Sequence, residues 1–171
     1  MIATEHDDMH ERVPLVDELG NIIGAATRGE CHNGSKLLHP VVHLHVFNEK
    51  NELFLQKRPH WKDIQPNRWD TAVGGHVSLG EDILTALRRE AAEELGLADF
   101  SPLFLHSYVF ESDRERELVY AYRCTIRTVP RPSRETAGGR FWTLADIRAS
   151  LHQGVFTPNF EEEFSRLEGE L

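Results

Sequence analysis

Gly75 to Leu97 reads GHVSLGEDILTALRREAAEELGL. Its charged and glycine positions follow the spacing G-x5-E-x7-R-E-U-x-E-E-x-G-U, with U aliphatic, filled by Gly75, Glu81, Arg89, Glu90, Ala91, Glu93, Glu94, Gly96 and Leu97. The segment reads as a loop, a helix and a turn. Ser78 and Glu81 have the spacing of a capping box, and Gly80 eases the chain into the helix. Gly96 suits a left-handed helix end. Each helical residue advances by about 100°, so Glu90, Glu93 and Glu94 fall on one stripe. Leu84, Leu87, Ala91 and Leu95 form a second stripe, expected to bury against a sheet.

Three carboxylates on one stripe repel one another, by a few tenths of a kcal/mol per pair. A divalent cation reverses that penalty. Carboxylate oxygens and water suit Mg²⁺ or Mn²⁺, and Mg²⁺ bridges readily to substrate phosphates. The competing reading is a solvated acidic helix face. Such a face has no need of the glycines, the arginine and the glutamates in a single register.

Outward from this segment the chain reads as alternating strands and helices. Val13–Val16 and Ile22–Ala26 flank a Leu19-Gly20-Asn21 turn and predict a hairpin. Strands are predicted at Val41–Phe47, Glu52–Lys57, Leu103–Phe110, Leu118–Arg127 and Arg140–Trp142. Thr143 is placed to cap a helix ending near His152. Thr157 is placed to cap a last helix that starts with Pro158 and continues through Phe160, Phe164 and Leu167. Strands flanked by helices predict an α/β fold, an α/β/α sandwich around a mixed sheet.

The 171 residues are expected to form a single domain over 1–171, with 1–30 as an N-terminal hairpin extension and 75–97 as the motif. The balance of 19 Lys plus Arg against 28 Asp plus Glu argues against a general nucleic-acid surface. Cys31 and Cys124 are too few for a disulfide framework and predict free thiols in a reducing compartment. The acidic N-terminus lacks the apolar stretch of a signal peptide, and no segment reaches the apolar length of a membrane span. A cytoplasmic protein, monomer or homodimer, without membrane or nucleic-acid partners is the expectation.

The motif resembles the signature of the Nudix hydrolases, with Ala91 standing where a larger aliphatic residue is usual. The resemblance implies the same α/β/α sandwich. It also implies that Glu90, Glu93 and Glu94 hold Mg²⁺ or Mn²⁺, that Arg89 pairs with a neighbouring glutamate and orients it, and that Glu81 steadies the loop or joins the metal through water. The implied activity is hydrolysis of a phosphoanhydride in nucleoside di- or triphosphates or related nucleoside diphosphate derivatives. Which carboxylate serves as base varies across the family.

A second resemblance covers roughly His32 to Arg123. HNGSKLLHPVVHLHVFN and LFLQKRPHWKDIQPNRWDTAVGGH look like the branch that contains type I isopentenyl diphosphate isomerases and their hydrolase relatives. In that isomerase a second metal is held by positions matching His32, His39, His76, Glu115 and Glu117. Ordinary surface histidines are the competing reading. The isomerase proton shuttle is a cysteine at the position of Gly74, so its chemistry is not implied, whereas the hydrolytic glutamates are complete. Positions matching Arg58 and Lys62 contact the diphosphate in that branch. Lys57 and Arg68 belong to the same local positive cluster, which reads equally as a solvated loop. Trp61 and Trp69 offer rings to a nucleobase, with packing beneath the motif loop the alternative for Trp69. His43 and His45 alternate on a strand and are read as structural. Glu161, Glu162 and Glu163 offer an external base or an exposed helix face, the latter favoured. The functional alternatives are an isomerase-like enzyme and a non-catalytic nucleotide sensor.

Overall fold

The computed structural model describes residues 9–62 and 64–171; the start of the predicted N-terminal extension and Asp63 lie outside them. Two strands, β1 (Arg12–Val16) and β2 (Ile22–Thr27), form the predicted antiparallel hairpin. A short helix α1 (Arg28–Cys31), capped by Thr27, leads from it to His32. The main sheet is mixed and has seven strands. Its centre is β3 (Leu38–Phe47), which runs parallel to β8 (Arg116–Thr125). Beyond β8 lies β7 (Leu103–Glu111), antiparallel. On the other side β3 meets β6 (Val73–His76) along its middle and β4 (Leu53–Lys57) at its end. Two short strands, β5 (Trp69–Thr71) and β9 (Gly139–Trp142), pair with β4. Neither β5 nor β6 was expected.

Strand alternation divides β3 between two cores. Val42, Leu44 and Val46 pack with Leu87, Ala91 and Leu95 of helix α2 (Ile83–Leu95). Phe47, on the opposite face, packs with Phe160, Phe164 and Leu167 of α4 (Pro158–Glu168) and with Ile147 of α3 (Leu144–Ser150). Helices therefore cover both faces of the sheet, as predicted. Thr143 and Thr157 cap α3 and α4, and Pro158 opens α4. Gly96 ends α2 at φ 65°, in the left-handed region.

Two local expectations are corrected. The cap of α2 is Asp82, whose side chain accepts from the Thr85 amide, and not Ser78. The inward face of α2 carries Ala86, Leu87, Glu90, Ala91 and Leu95, while Leu84 is exposed. The stripe is turned because Glu90 itself points inward. Both cysteines are free and buried. Among the described residues no helix is long and apolar enough to cross a membrane.

Candidate active site and metal centre

β6 positions the site. Its register on β3 sets Gly74 opposite His43, Gly75 opposite Val42 and His76 opposite Val41. Successive residues of β6 face opposite sides of the sheet. Gly75 faces α2, and a Cβ built there would lie 2.1 Å from the carboxyl carbon of Glu90. The motif glycine is needed for space, since its φ is not in the left-handed region. One residue earlier, the Gly74 amide donates to Glu94 Oε2 at 3.0 Å.

Arg89 fixes the carboxylates. Its Nε and Nη2 donate to both oxygens of Glu81 at 2.8 and 2.9 Å, a bidentate pair. Its Nη1 donates to Glu90 Oε1 at 2.8 Å and lies 3.4 Å from Glu93 Oε2. Nη2 also donates to the His76 carbonyl at 3.1 Å. Glu81 further accepts from the Ser78 amide, so the predicted capping pair builds a receptor for arginine instead. The Arg89 bonds hold the Glu81 carboxyl below its ordinary range. Glu94 is pushed well above that range, first by burial and then by the Glu90 carboxylate beside it. Two adjacent carboxyls, both largely withdrawn from solvent, are an arrangement that a cation relieves.

On the other side of β6 lies a second cluster. One donor atom from each of His32, His39, His76 and Glu115 lies within 4.8 Å of the rest. His32 Nε2 stands 2.9 Å from His76 Nε2 and 3.3 Å from Glu115 Oε2. Glu117 adds a carboxylate 3.9 Å from His39 Nε2. His39 Nδ1 donates to the Leu37 carbonyl at 2.8 Å, which turns the Nε2 lone pair toward the cluster. That Nε2 and Glu115 Oε2 are buried without a hydrogen-bond partner. Burial, then the Arg28 charge, brings His32 down to about 4 and His76 well below its ordinary value. Neutral imidazoles, one with a buried and unpartnered Nε2, beside carboxylates form a donor set that fits a divalent cation.

Both clusters open onto one cavity of about 820 Å³. Glu90, Glu93, Glu94 and Arg89 line one side, and His32, His76, Glu115 and Glu117 another. Glu81 and His39 stand behind that lining. Arg58, Trp61 and Lys62 line its mouth. Arg58 is also tied down, donating twice to the Ile64 carbonyl at 3.1 and 2.8 Å. Lys62 Nζ hovers 5.2 Å from the centre of the half-exposed Trp61 ring. Lys57 is not among the lining residues and sits 5.9 Å over the Trp69 ring. Trp69 packs edge-on to Trp142 in the α4 core, away from the motif loop.

The sequence reading missed two lining residues, Asp70 and His43, and the buried Glu163 behind one of them. Asp70, in the middle of the short β5, accepts from Thr157 Oγ1 at 3.1 Å and faces the cavity. Pro and Trp around it obscured the strand. His43 also faces the cavity. Glu163, which pairs with His43, is fully buried rather than exposed. A signal for it existed: Glu163 lies three residues after Phe160 and four before Leu167, on the apolar stripe of α4.

A helix that lays its glutamates against a glycine-bearing strand at the edge of a mixed sheet defines a Nudix-type site. The NUDIX domain family matches residues 37–160, and the chain belongs to it. Relatives carry two kinds of name. Isopentenyl-diphosphate Delta-isomerase 1 of Photorhabdus laumondii is 29% identical over 164 residues, covering 91% of this chain and 93% of the relative. An uncharacterised Nudix hydrolase of Listeria monocytogenes is 34% identical over 139 residues, covering 77% and 82%. Among solved structures, the protein DR0079 of Deinococcus radiodurans superposes with a TM-score of 0.77 at 27% identity, covering 91% of this chain and 98% of that one.

Proposed function

We propose that the protein is a metal-dependent Nudix pyrophosphohydrolase. It cleaves a phosphoanhydride bond in a nucleoside di- or triphosphate or a related nucleoside diphosphate derivative. The observation that carries this reading is the seating of Glu90 and Glu94 against the β6 backbone, with Arg89 forked between Glu81 and Glu90. Glu90, Glu93 and Glu94 would hold Mg²⁺ or Mn²⁺. His32, His39, His76, Glu115 and Glu117 would hold a second ion. When bound, the cation supplies Lewis-acid polarisation of the phosphate and lowers the pKa of water. Arg89 keeps Glu90 oriented through binding and release. A motif carboxylate takes the proton of the attacking water. Arg58 and Lys62 neutralise the phosphates at the cavity mouth, and Trp61 offers a ring face to the base.

A second reading, the isomerase reaction, is favoured by the histidine cluster. It is opposed by Gly74, which has no side chain with which to move a proton. The two thiols do not replace it, since both are buried outside the cavity lining and burial pushes them up to about 11 and 12.

The test is incubation with Mg²⁺ or Mn²⁺ and a panel of nucleotides, reading release of phosphate or pyrophosphate. Turnover is expected, and Glu94→Gln should abolish it. Isopentenyl diphosphate should take up no deuterium from solvent. Tight nucleotide binding without products would instead identify a sensor, and no product with any member of the panel would defeat the hydrolase reading.

A further inference from the structure

Beneath the cavity lies a buried group that the metal clusters do not use. His43 and His45 share one face of β3. Between them sits Glu163 of α4, fully buried, with Oε1 2.7 Å from His43 Nδ1 and Oε2 2.5 Å from His45 Nε2. Tyr108 of β7 donates its hydroxyl to the same Glu163 Oε1. An ionised carboxylate only accepts, so Nδ1 of His43 carries the hydrogen in that bond. The ring is thereby fixed with Nε2 at its other edge. That edge faces Gly74: a Cβ at residue 74 would lie 3.3 Å from His43 Cδ2 and 3.5 Å from Nε2. Both Gly74 and the one-fifth exposed His43 line the cavity. Glycine at 74 therefore does more than delete a thiol. It clears the space in front of an imidazole nitrogen that a carboxylate holds from behind.

We propose that His43 is a catalytic residue of this site, donating from Nε2 across the space at Gly74 to the phosphate group that departs. The inference rests on the phosphoanhydride reading above. In the step, the water oxygen attacks one phosphorus, and the bond from that phosphorus to the bridging oxygen breaks. The electron pair of that bond stays on the bridging oxygen, which takes the Nε2 proton. A motif carboxylate takes a proton from the water, and exchange with solvent restores both groups. Glu163 acts through His43 and is a positioning residue. The charged and titratable groups around the ring are Glu163 from α4, Asp70 from β5, Glu117 from β8, Glu94 from α2, and Tyr108 and His45 beside Glu163. Burial alone would discharge the ring. Glu163, and behind it Glu117 and Asp70, outweigh burial and bring His43 up to about 9, so the donor form is present at neutral pH.

Two measurements test this on the full chain. The first is ¹⁵N–¹H spectroscopy of the histidine rings, with His43 assigned by comparison with His43→Gln. At neutral pH both ring nitrogens should carry hydrogen, and the Nε2 resonance should shift when imidodiphosphate and Mg²⁺ are added. In Glu163→Gln the ring should lose its second proton at lower pH than in the wild type, which a merely structural glutamate would not cause. The second is steady-state kinetics on the best nucleotide of the panel. His43→Gln should lower kcat by about 100-fold with KM changed by no more than about threefold, the pattern of a donor used in the transition state. An Nε2 resonance blind to imidodiphosphate, in an enzyme whose turnover survives His43→Gln, overturns the role of His43 and leaves the hydrolase reading intact. Failure to bind imidodiphosphate, with no turnover of any nucleotide, overturns both.

Discussion

Gly75→Ala isolates what the motif glycine does. The added methyl would lie 2.1 Å from Glu90 Cδ and 2.5 Å from each of its oxygens. Ordinary contact begins near 3.4 Å, so the carboxyl has to retreat by about 1.3 Å. It has little room, being 4% exposed and tethered to Arg89 at 2.8 Å. The neighbour is still the tip of a side chain and not backbone, so the fold should yield locally. A stability loss of about 1–3 kcal/mol is expected, the usual range for an overpacked site. For a chain of this size that is a fall of roughly 2–4 °C in Tm per kcal/mol. The functional loss should be larger in proportion. A displaced ligand or its support typically weakens metal binding about 10–100-fold. The assay is Mn²⁺ binding by electron paramagnetic resonance, alongside thermal unfolding and nucleotide turnover. A variant with wild-type Mn²⁺ affinity, Tm and turnover would falsify the claim that Gly75 exists to seat Glu90.

Arg89→Lys keeps the charge but cannot fork between Glu81 and Glu90; kcat should fall at least about tenfold, with Tm reduced, because one ammonium cannot replace a planar set of donors. Lys62→Ala should raise KM and leave Tm unchanged, as Lys62 lines the cavity mouth over an exposed ring, whereas Arg58→Ala should also lower Tm through the lost bonds to Ile64. Chelated protein should lose stability as pH rises from about 6.5 toward 8, above the range in which the lowered His32 and His76 act in the opposite direction. Glu117 is raised to about 8 by burial and then by Glu115, so its contribution is full below the unfolded value and lost as pH passes the folded one. Added Mn²⁺ should remove that loss, and a flat difference in Tm between chelated and loaded protein across this range would count against a cation beside Glu117.

The fold was legible wherever periodicity and caps agreed. The hairpin, β3, β4, β7, β8 and both C-terminal helices carry alternation or helical spacing together with their turn and cap residues. β5 and β6 do not. WDT and VGGH have too few side chains to alternate, and they are strands because β4 and β3 supply their hydrogen-bond partners. That is tertiary information. The displaced cap has the same origin. Ser78 and Asp82 are both competent caps, and the choice went to Asp82 because Glu81 is engaged by Arg89, eight residues further on. Leu84 was misplaced for a related reason: the helix turns Glu90 inward to meet Gly75, and an apolar stripe counted by hydropathy has no place for a buried carboxylate.

The GGH triplet of β6 makes the same point at the level of the site. Read as sequence, its two glycines look interchangeable, one the start of a motif and the other a missing cysteine. Alternation separates them. Gly75 faces α2 and leaves room for a carboxylate, whereas Gly74 faces the opposite side and leaves room before an imidazole. His76 shares the Gly74 side and joins the histidine cluster, while its carbonyl accepts from Arg89. One strand of four residues thus touches the glutamate helix, the histidine cluster and the His43–Glu163 pair. A side chain added at 74 or at 75 should therefore injure different partners. Gly74→Ala presses on His43 at 3.3 Å and should spare the seating of Glu90, whereas Gly75→Ala does the reverse. That division follows from strand geometry alone, and it is where a motif written as letters stops being informative.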